Sequence, residues 1–99
     1  MDTPMNVILT QPVDIALRTL GEEDRRNVMA WLDHLKNWEN DDFLRSHSHK
    51  LNPEDNVYVL KASADIRIFF RLEKSDIVIL DIARKATIVS SGRIAEHGR

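Results

Sequence analysis

Basic side chains recur in the stretch YVLKASADIRIFFR, Tyr58 to Arg71, at positions that would share one face of a β-sheet. Lys61 and Arg67 stand on either side of a short polar connection, and Arg71 follows on the second strand. Like charges directly opposite each other in a sheet cost some tenths of a kcal/mol unless an anion or a carboxylate lies between them. The pattern therefore indicates a basic, partly apolar binding face. A simpler interpretation, and the more common one for charged residues on a solvent face, is that the long stems cover apolar sheet while the charged heads stay in water.

The strands that would position these residues are VYVLKAS, IRIFFRLE and DIVILDIAR, which are rich in β-branched and aromatic residues. Short connections between them predict two antiparallel hairpins in series, a three-stranded meander. A turn near residues 63–65 places Lys61 opposite Arg67 and also pairs Val59 with Phe69 and Val57 with Arg71. A second turn at Lys74 and Ser75 places Arg71 near Val78 and Arg67 near Ile82.

This register divides the meander into two faces, although a shift by one residue would exchange them. The predicted core face carries Tyr58, Leu60, Ala62, Ile66, Ile68, Phe70, Leu72, Ile77, Ile79 and Ala83. The opposite face carries Lys61, Arg67, Arg71 and Arg84 among Val59, Phe69, Val78, Leu80 and Ile82. Asp81 falls on the core face, which requires a cationic partner such as Arg18, Arg25 or Arg26, or a different register.

The first half of the chain predicts one short strand and two helices. MNVILT, Met5 to Thr10, is β-rich, and QPVDIALRTLG then predicts a helix with Pro12 in its first turn and Gly21 just after its last residue. Its apolar stripe is Val13, Ala16, Leu17 and Leu20. The second helix opens with acidic residues and carries an apolar stripe that includes Trp31 and Trp38. The turn-rich segment from Asn40 to Asn56 has no sustained period, which predicts a loop or an irregular crossover.

Composition sets the limits on size and class. A chain of 99 residues, 42% of them hydrophobic and 30% charged, predicts one globular domain over residues 1–99, with a mobile tail from about residue 90. The net charge of −2 argues against coating nucleic acid by bulk charge, although a local basic patch remains compatible with it. The absence of cysteine excludes a disulfide scaffold, and the N-terminus lacks signal-peptide features. We expect a cytoplasmic protein without a membrane segment or a cofactor.

Histidine and tryptophan residues offer weaker alternatives. His47 and His49, with Asp41 or Asp42, could be imagined as metal ligands, but two histidines in a polar loop are more often solvated, so no metal is expected. Trp31 and Trp38 could stack on nucleobases, but their spacing of seven favours packing in the core. Neither feature therefore defines a site.

The element order and the segment YVLKASADIRIFFRLEKSDIVILDIARK together resemble the RelE/ParE superfamily of bacterial type II toxins. The resemblance covers roughly residues 6–85, and its most specific part is DIRIFFRLEKSDIVILDIARK. It implies an α+β fold in which an N-terminal strand, a two-helix antiparallel hairpin and the three-stranded meander follow in order, with the helices on one sheet face. It also implies a cognate antitoxin that wraps the toxin.

RelE-like members of this superfamily cut mRNA in the ribosomal A site. Carried over by residue, the resemblance makes Lys61, Arg67 and Arg84 the expected catalytic residues. Cleavage by the neighbouring 2′-hydroxyl needs a base, an acid and cations for the developing phosphorane charge. Lys61 could also transfer a proton, whereas arginine remains protonated and acts as an electrostatic clamp. The expected substrate-binding or antitoxin-binding residues are Lys50, Phe69, Arg71 and Lys85.

The sequence departs from the nuclease pattern after the basic cluster, where many members carry a further arginine and then a tyrosine or histidine. Here that stretch is ATIVSSGRI, without an aromatic residue or an imidazole. Lys50 or His49 could substitute from the loop, and Arg93 from the tail. Two alternatives to the mRNA nuclease therefore stay open: a ParE-like toxin that inhibits DNA gyrase by protein contact, and a degenerate member that binds only its antitoxin.

Overall fold

A computed structural model of the protein describes residues 5–51, 53 and 55–85. In this part of the chain no helix is long and apolar enough to cross a membrane. The expected mobile tail and the candidate Arg93 lie outside the described residues. In chain order the elements are β1 (Asn6–Leu9), α1 (Gln11–Thr19), α2 (Glu22–His34), a 3₁₀ helix (Leu35–Asn40), α3 (Asp42–Ser46), β2 (Ser48–Lys50), β3 (Val57–Lys61), β4 (Ile66–Glu73) and β5 (Asp76–Arg84).

The five strands form one mixed sheet in the order β1-β5-β4-β3-β2, with the helices packed against one face. β1 runs parallel to β5, and the other neighbours are antiparallel. The predicted α+β fold, the N-terminal strand and the antiparallel meander are therefore confirmed. The core between the sheet and the helices contains Val13, Leu17, Val28, Leu32, Leu35, Trp38, Leu44, Leu60, Ile66, Ile68, Phe70, Ile77 and Ile79.

Both long helices begin as the sequence predicts. Pro12 lies in the first turn of α1, where a missing backbone N–H has no consequence, and Thr10 is its N-cap residue. Acidic residues fill the first turn of α2, where the helix dipole favours negative charge. Gly21 is the N-cap residue of α2, and its carbonyl accepts a hydrogen bond from Arg25 N at 2.8 Å. The connection between α1 and α2 consists of Leu20 and Gly21.

The prediction of a loop between Asn40 and Asn56 is wrong in part. Asp41 caps α3, since its carboxylate accepts hydrogen bonds from Phe43 N at 3.0 Å and Leu44 N at 3.4 Å. β2 then pairs with β3 and adds a fifth strand at the edge of the sheet. These elements are five and three residues long, which is too short to show a hydrophobic period.

The predicted register is correct for the first hairpin. Lys61 lies opposite Arg67, Val59 opposite Phe69, and Val57 opposite Arg71. In the second hairpin Arg71 pairs with Val78 as predicted. From Tyr58 to Ile79, side chains alternate between the helix-covered face and the opposite face of the sheet, which we call the open face.

The second half of β5 departs from the predicted register because of a β-bulge. Phe70 pairs with Ile79 and Phe69 pairs with Asp81, so Leu80 is the extra residue. Arg67 consequently lies opposite Ala83, and the prediction that it lies near Ile82 is wrong. The bulge exchanges the faces of the residues that follow it, which corrects the predicted positions of Asp81, Ile82, Ala83 and Arg84. Asp81 is exposed and needs no buried cation.

Candidate functional site

An open groove of about 840 Å³ lies at the end of the sheet where β3 turns into β4. Its size falls within the range of about 300–1,000 Å³ that is usual for ligand sites. Small residues of the β3–β4 turn form part of its lining. The charged and aromatic side chains that line it are Trp31, His47, His49, Lys61, Arg67 and Lys85. We call this cavity the basic groove.

Lys61 and Arg67 occupy the groove with different surroundings. Arg67 is half-buried, and its Nη1 donates a hydrogen bond to Ser63 O at 2.9 Å, with Ala64 O and Ile66 O at 3.4 and 3.3 Å. Lys61 is exposed at the end of β3. Because turn carbonyls compensate the guanidinium charge, the two cations can lie opposite each other while the ammonium stays available to a ligand.

The turn that positions these two residues is fixed by a hydroxyl group. Ser63 Oγ accepts hydrogen bonds from Asp65 N at 3.2 Å and Ile66 N at 3.1 Å. Ser and Asp side chains favour such local bonds, so SAD is a sequence that supports a tight turn. The start of β4, and with it Arg67, is therefore held by local chemistry.

Arg84 lies outside the groove lining, and its predicted place on the open face is wrong. It pairs with Ile66, whose side chain is buried on the helix-covered face. Arg84 Nη1 donates to Asp65 Oδ2 at 2.6 Å, and Nη2 donates to Asp24 Oδ2 at 3.1 Å. These hydrogen bonds, first the one that Asp65 accepts and then the one that Asp24 accepts, raise the pKa of Arg84 above its ordinary value.

The remaining predicted site residues are divided between the groove and other surfaces. Lys85 lines the groove, and its backbone N donates to Asp65 O at 2.6 Å. Lys50 pairs with Tyr58, so it points to the other side of β2 from His49. Phe69 and Arg71 lie on the open face farther along β4, and Arg71 approaches Glu73 at 3.6 Å. The structure thus brings Lys61, Arg67 and Lys85 together.

Two histidines that the sequence interpretation treated as solvated loop residues line the groove. His47 follows α3 as its C-cap residue, and His49 lies on β2 opposite Val59. The H-x-H spacing is the signal that could have found them, because it places two imidazoles close together in the chain. β2 is only three residues long, so the sequence pattern does not show that these histidines lie beside β3.

Trp31 packs against the core as predicted, but it also reaches the groove. It is half-buried and lines the groove, and its Nε1 donates to Ala62 O at 3.0 Å. Trp38 is 7% exposed and packs edge-on against Tyr58 and Phe70, as the core interpretation predicts. Both tryptophans of the stripe therefore contact the core, and Trp31 is also part of the groove lining.

The donor set of the site has the chemistry of anion binding and proton transfer. Cationic nitrogens can bind a phosphate, and imidazole can take up and release a proton near neutral pH. Across the described residues, no three side chains among His, Asp and Glu are grouped as a metal site would require.

Solved structures of RelE toxins share this fold. The RelE–RelB complex from Pyrococcus horikoshii OT3 aligns with a TM-score of 0.69 and 20% identity over 84% of this chain and 97% of the other. An arginine-substituted variant of Escherichia coli toxin RelE in the free state has a TM-score of 0.68 and 11% identity over 96% and 98%. The toxin–antitoxin complex RelBE2 from Mycobacterium tuberculosis has a TM-score of 0.60 and 17% identity over 84% and 100%.

These similarities define the class of protein at the level of the fold. No protein-family profile and no curated protein sequence matches the chain. The three identities are all below 25%, a level at which a shared structure establishes the fold and leaves the function to the site. The protein is a RelE-fold domain.

Proposed function

We propose that this protein is the toxin of a type II toxin–antitoxin system and that it cleaves mRNA on the ribosome in the RelE manner. The observation that carries the proposal is the basic groove, in which Lys61, Arg67 and Lys85 share one open cavity with His49. The RelE fold of the neighbours, several of which were solved as toxin–antitoxin complexes, supports the same conclusion. The site of action would be the bacterial cytoplasm, where the ribosomes are.

The proposed chemistry is attack of a 2′-hydroxyl on the adjacent phosphate with departure of the 5′-oxygen. Lys61 and Lys85 would stabilise the charge that develops on the phosphorane, since both are exposed and line the groove. Arg67 would act as a fixed clamp, because the turn carbonyls hold its guanidinium. His49 is the group in the groove that we assign to proton transfer.

Arg84 has a different part in this proposal from the one that the resemblance implies. Its guanidinium is bound by Asp24 of α2 and Asp65 of the β3–β4 turn. Two carboxylates within 3.1 Å compensate its charge, so it is poorly placed to receive a phosphate. We assign Arg84 to holding the turn that carries Arg67 and Lys85.

The first experiment is to induce the protein in growing bacteria, map mRNA 5′ ends, and follow incorporation of radiolabelled amino acid and thymidine. We expect prompt loss of translation together with new cuts in reading frames. A block in DNA synthesis with intact mRNA would instead establish the gyrase-inhibitor alternative. Absence of any arrest would identify a RelE-fold protein without toxic activity, and either result would overturn the nuclease proposal.

The matched variants test whether the basic groove is responsible. The double variant Lys61→Ala, Arg67→Ala is expected to lose cleavage by at least about 100-fold, because it removes two of the charges that face the phosphate. The control Arg18→Ala, Arg26→Ala removes the same net charge from exposed helix positions that make only i,i+4 ion pairs. Equal activity of the two folded double variants would exclude the groove as the active site.

A further inference from the structure

Two aromatic rings line the basic groove, and a third lies beside them in contact with both. The rings of Trp31 and Phe43 are stacked, with centroids 5.7 Å apart and planes 7° from parallel. The His47 ring lies 4.3 Å from Phe43 and 5.6 Å from Trp31. We call Trp31, Phe43 and His47 the aromatic wall. Trp31 and His47 belong to the lining of the basic groove, and Phe43 supports them from behind.

Burial of apolar surface accounts for only part of this cluster, because Trp31 packs against the core but Phe43 is exposed. Phe43 is 58% exposed, whereas Leu44 beside it is fully buried and anchors α3 in the core. Trp31 is half-buried, although Val28 and Leu32 on the same helix are in the core. Large aromatic residues that serve only to stabilise a fold are usually removed from water.

Hydrogen bonds hold the two groove-facing rings in place. Trp31 Nε1 donates to Ala62 O at 3.0 Å, which ties the indole to the end of β3. His47 Nδ1 lies 3.1 Å from Phe43 O and 3.2 Å from Ser46 Oγ. Because a carbonyl can only accept, the first contact makes Nδ1 the protonated nitrogen and orients the ring. The rings are therefore positioned before any ligand arrives.

The aromatic wall adjoins the cations of the groove through the backbone. Lys61 N donates to His47 O at 2.9 Å, and the residue after Lys61 is the one whose carbonyl binds the Trp31 indole. Lys61 and the two rings therefore line the same cavity. A flat, π-bonded group attached to an anion fits both features, and a nucleotide has that composition.

We propose that Trp31 and His47 form a stacking surface for one unpaired base of the RNA whose phosphate lies at Lys61 and Arg67. This assignment rests on the proposed mRNA cleavage. It identifies a stacking partner in a chain whose segment ATIVSSGRI carries no aromatic residue after the basic cluster. Stacking of unpaired bases on aromatic side chains is the usual means by which proteins hold single-stranded RNA. The base is thereby oriented so that its own phosphate meets the groove cations.

A protein segment is the other class of ligand that aromatic rings could receive. The charge of the groove favours RNA, because three cationic side chains lie in the same cavity as the rings. An antitoxin side chain that used the rings would not need those charges. The experiment therefore includes antitoxin binding as an outcome.

The test compares pairs of variants that differ only in aromatic character, using ribosomes programmed with a defined mRNA. His47→Phe and His47→Leu both lose the imidazole, and Trp31→Phe and Trp31→Leu both lose the bond to Ala62. We expect each Leu variant to cleave about 10- to 100-fold more slowly than its Phe partner at subsaturating ribosome concentration. Melting curves establish that both members of a pair are folded, and the Trp31 pair decides the question if a His47 variant does not fold.

The outcomes separate this inference from the proposed function. If the wild-type protein does not cleave mRNA on programmed ribosomes, the proposed function fails and the stacking assignment fails with it. If the wild-type protein cleaves but the Phe and Leu members of each pair are equally active, or equally impaired, base stacking is overturned while the nuclease stands. Leu variants that cleave normally but lose antitoxin binding would show that the rings are a protein contact, which also overturns the assignment.

Discussion

Lys61 and Arg67 show at the residue scale how one sheet position can hold two like charges. They lie directly opposite each other, but Arg67 donates to turn carbonyls while Lys61 is exposed. Arg67 therefore stabilises the β3–β4 turn and also contributes positive charge to the groove. Lys61 lines the groove, and among the described residues its side chain makes no comparable hydrogen bond.

Substitution of these two residues by alanine is expected to affect stability differently. Arg67→Ala should lower the free energy of unfolding by about 1–2 kcal/mol, because it removes charge-assisted hydrogen bonds to the turn. Lys61→Ala should change it by less than about 0.5 kcal/mol, the usual range for an exposed residue. Urea unfolding of the single variants measures both values. Equal losses would mean that the Arg67 contacts to the turn do not stabilise the fold.

Arg84 is a cation whose charge is compensated by two ion pairs within the protein, with Asp24 and Asp65. The hydrogen bonds that it donates to Asp65 and Asp24 raise its pKa above the ordinary value. A raised pKa in the folded state contributes stability that is present below the unfolded value and lost only as the pH rises through the folded value. Arg84 therefore remains cationic and adds no pH dependence to stability between about pH 5 and pH 9.

At the scale of elements, the bulge in β5 decides which residues reach the core. Leu80 is unpaired between Ile79 and Asp81. Without it, strict alternation would place Asp81 beside the buried Ile79, as the sequence pattern predicts. With it, Ile82 is 6% exposed in the core and Asp81 faces water. A single inserted residue thus removes the cost of burying a carboxylate.

Two single-residue deletions test the bulge. Deletion of Leu80 should leave a folded protein with a loss of about 1–2 kcal/mol, because the pairs on either side of it can close without exchanging faces. Deletion of Ile82 should cost about 2–5 kcal/mol, because it either removes a core side chain or turns Asp81 inward. Circular dichroism during urea unfolding compares them. A greater loss from removing Leu80 would show that the bulge is required for the fold.

At the scale of the whole molecule, apolar side chains on the open face suggest a protein partner. Phe69, Val78 and Leu80 are half-buried there, and Ile8 on the neighbouring edge strand is 42% exposed. Patches of this kind mark interaction sites. We expect the cognate antitoxin to cover this face, with Phe69 and Arg71 among its contacts.

The partner prediction can be tested with two apolar-to-acidic substitutions. Phe69→Glu should abolish co-purification with an antitoxin encoded beside this protein, because it places a charge in the expected interface. Ile15→Glu is the matched control, since Ile15 is 53% exposed on α1 and lies away from the open face. Co-expression with affinity purification measures both. Retained binding by Phe69→Glu, or loss of binding by Ile15→Glu alone, would place the interface elsewhere.

The sequence by itself determined the features that depend on short-range order. The acidic start of α2, Pro12 in α1, the apolar stripes and the alternation in β3 and β4 define their own elements. The register of the first hairpin can be predicted because SAD is compatible with few turn types. The predicted pairing of Lys61 with Arg67 is therefore correct. Each of these signals lies within a few residues of the structure that it specifies.

The tertiary structure decided where the groove is and which residues line it. α3 and β2 are too short to persist alone, and only packing of Leu44 in the core and pairing of β2 with β3 give them a structure. His47 and His49 reach the groove through those contacts and Trp31 through its hydrogen bond to Ala62, while the bulge and two distant carboxylates turn Arg84 away from it. Such placements depend on residues up to 60 positions apart in the chain, so local propensity contains no information about them.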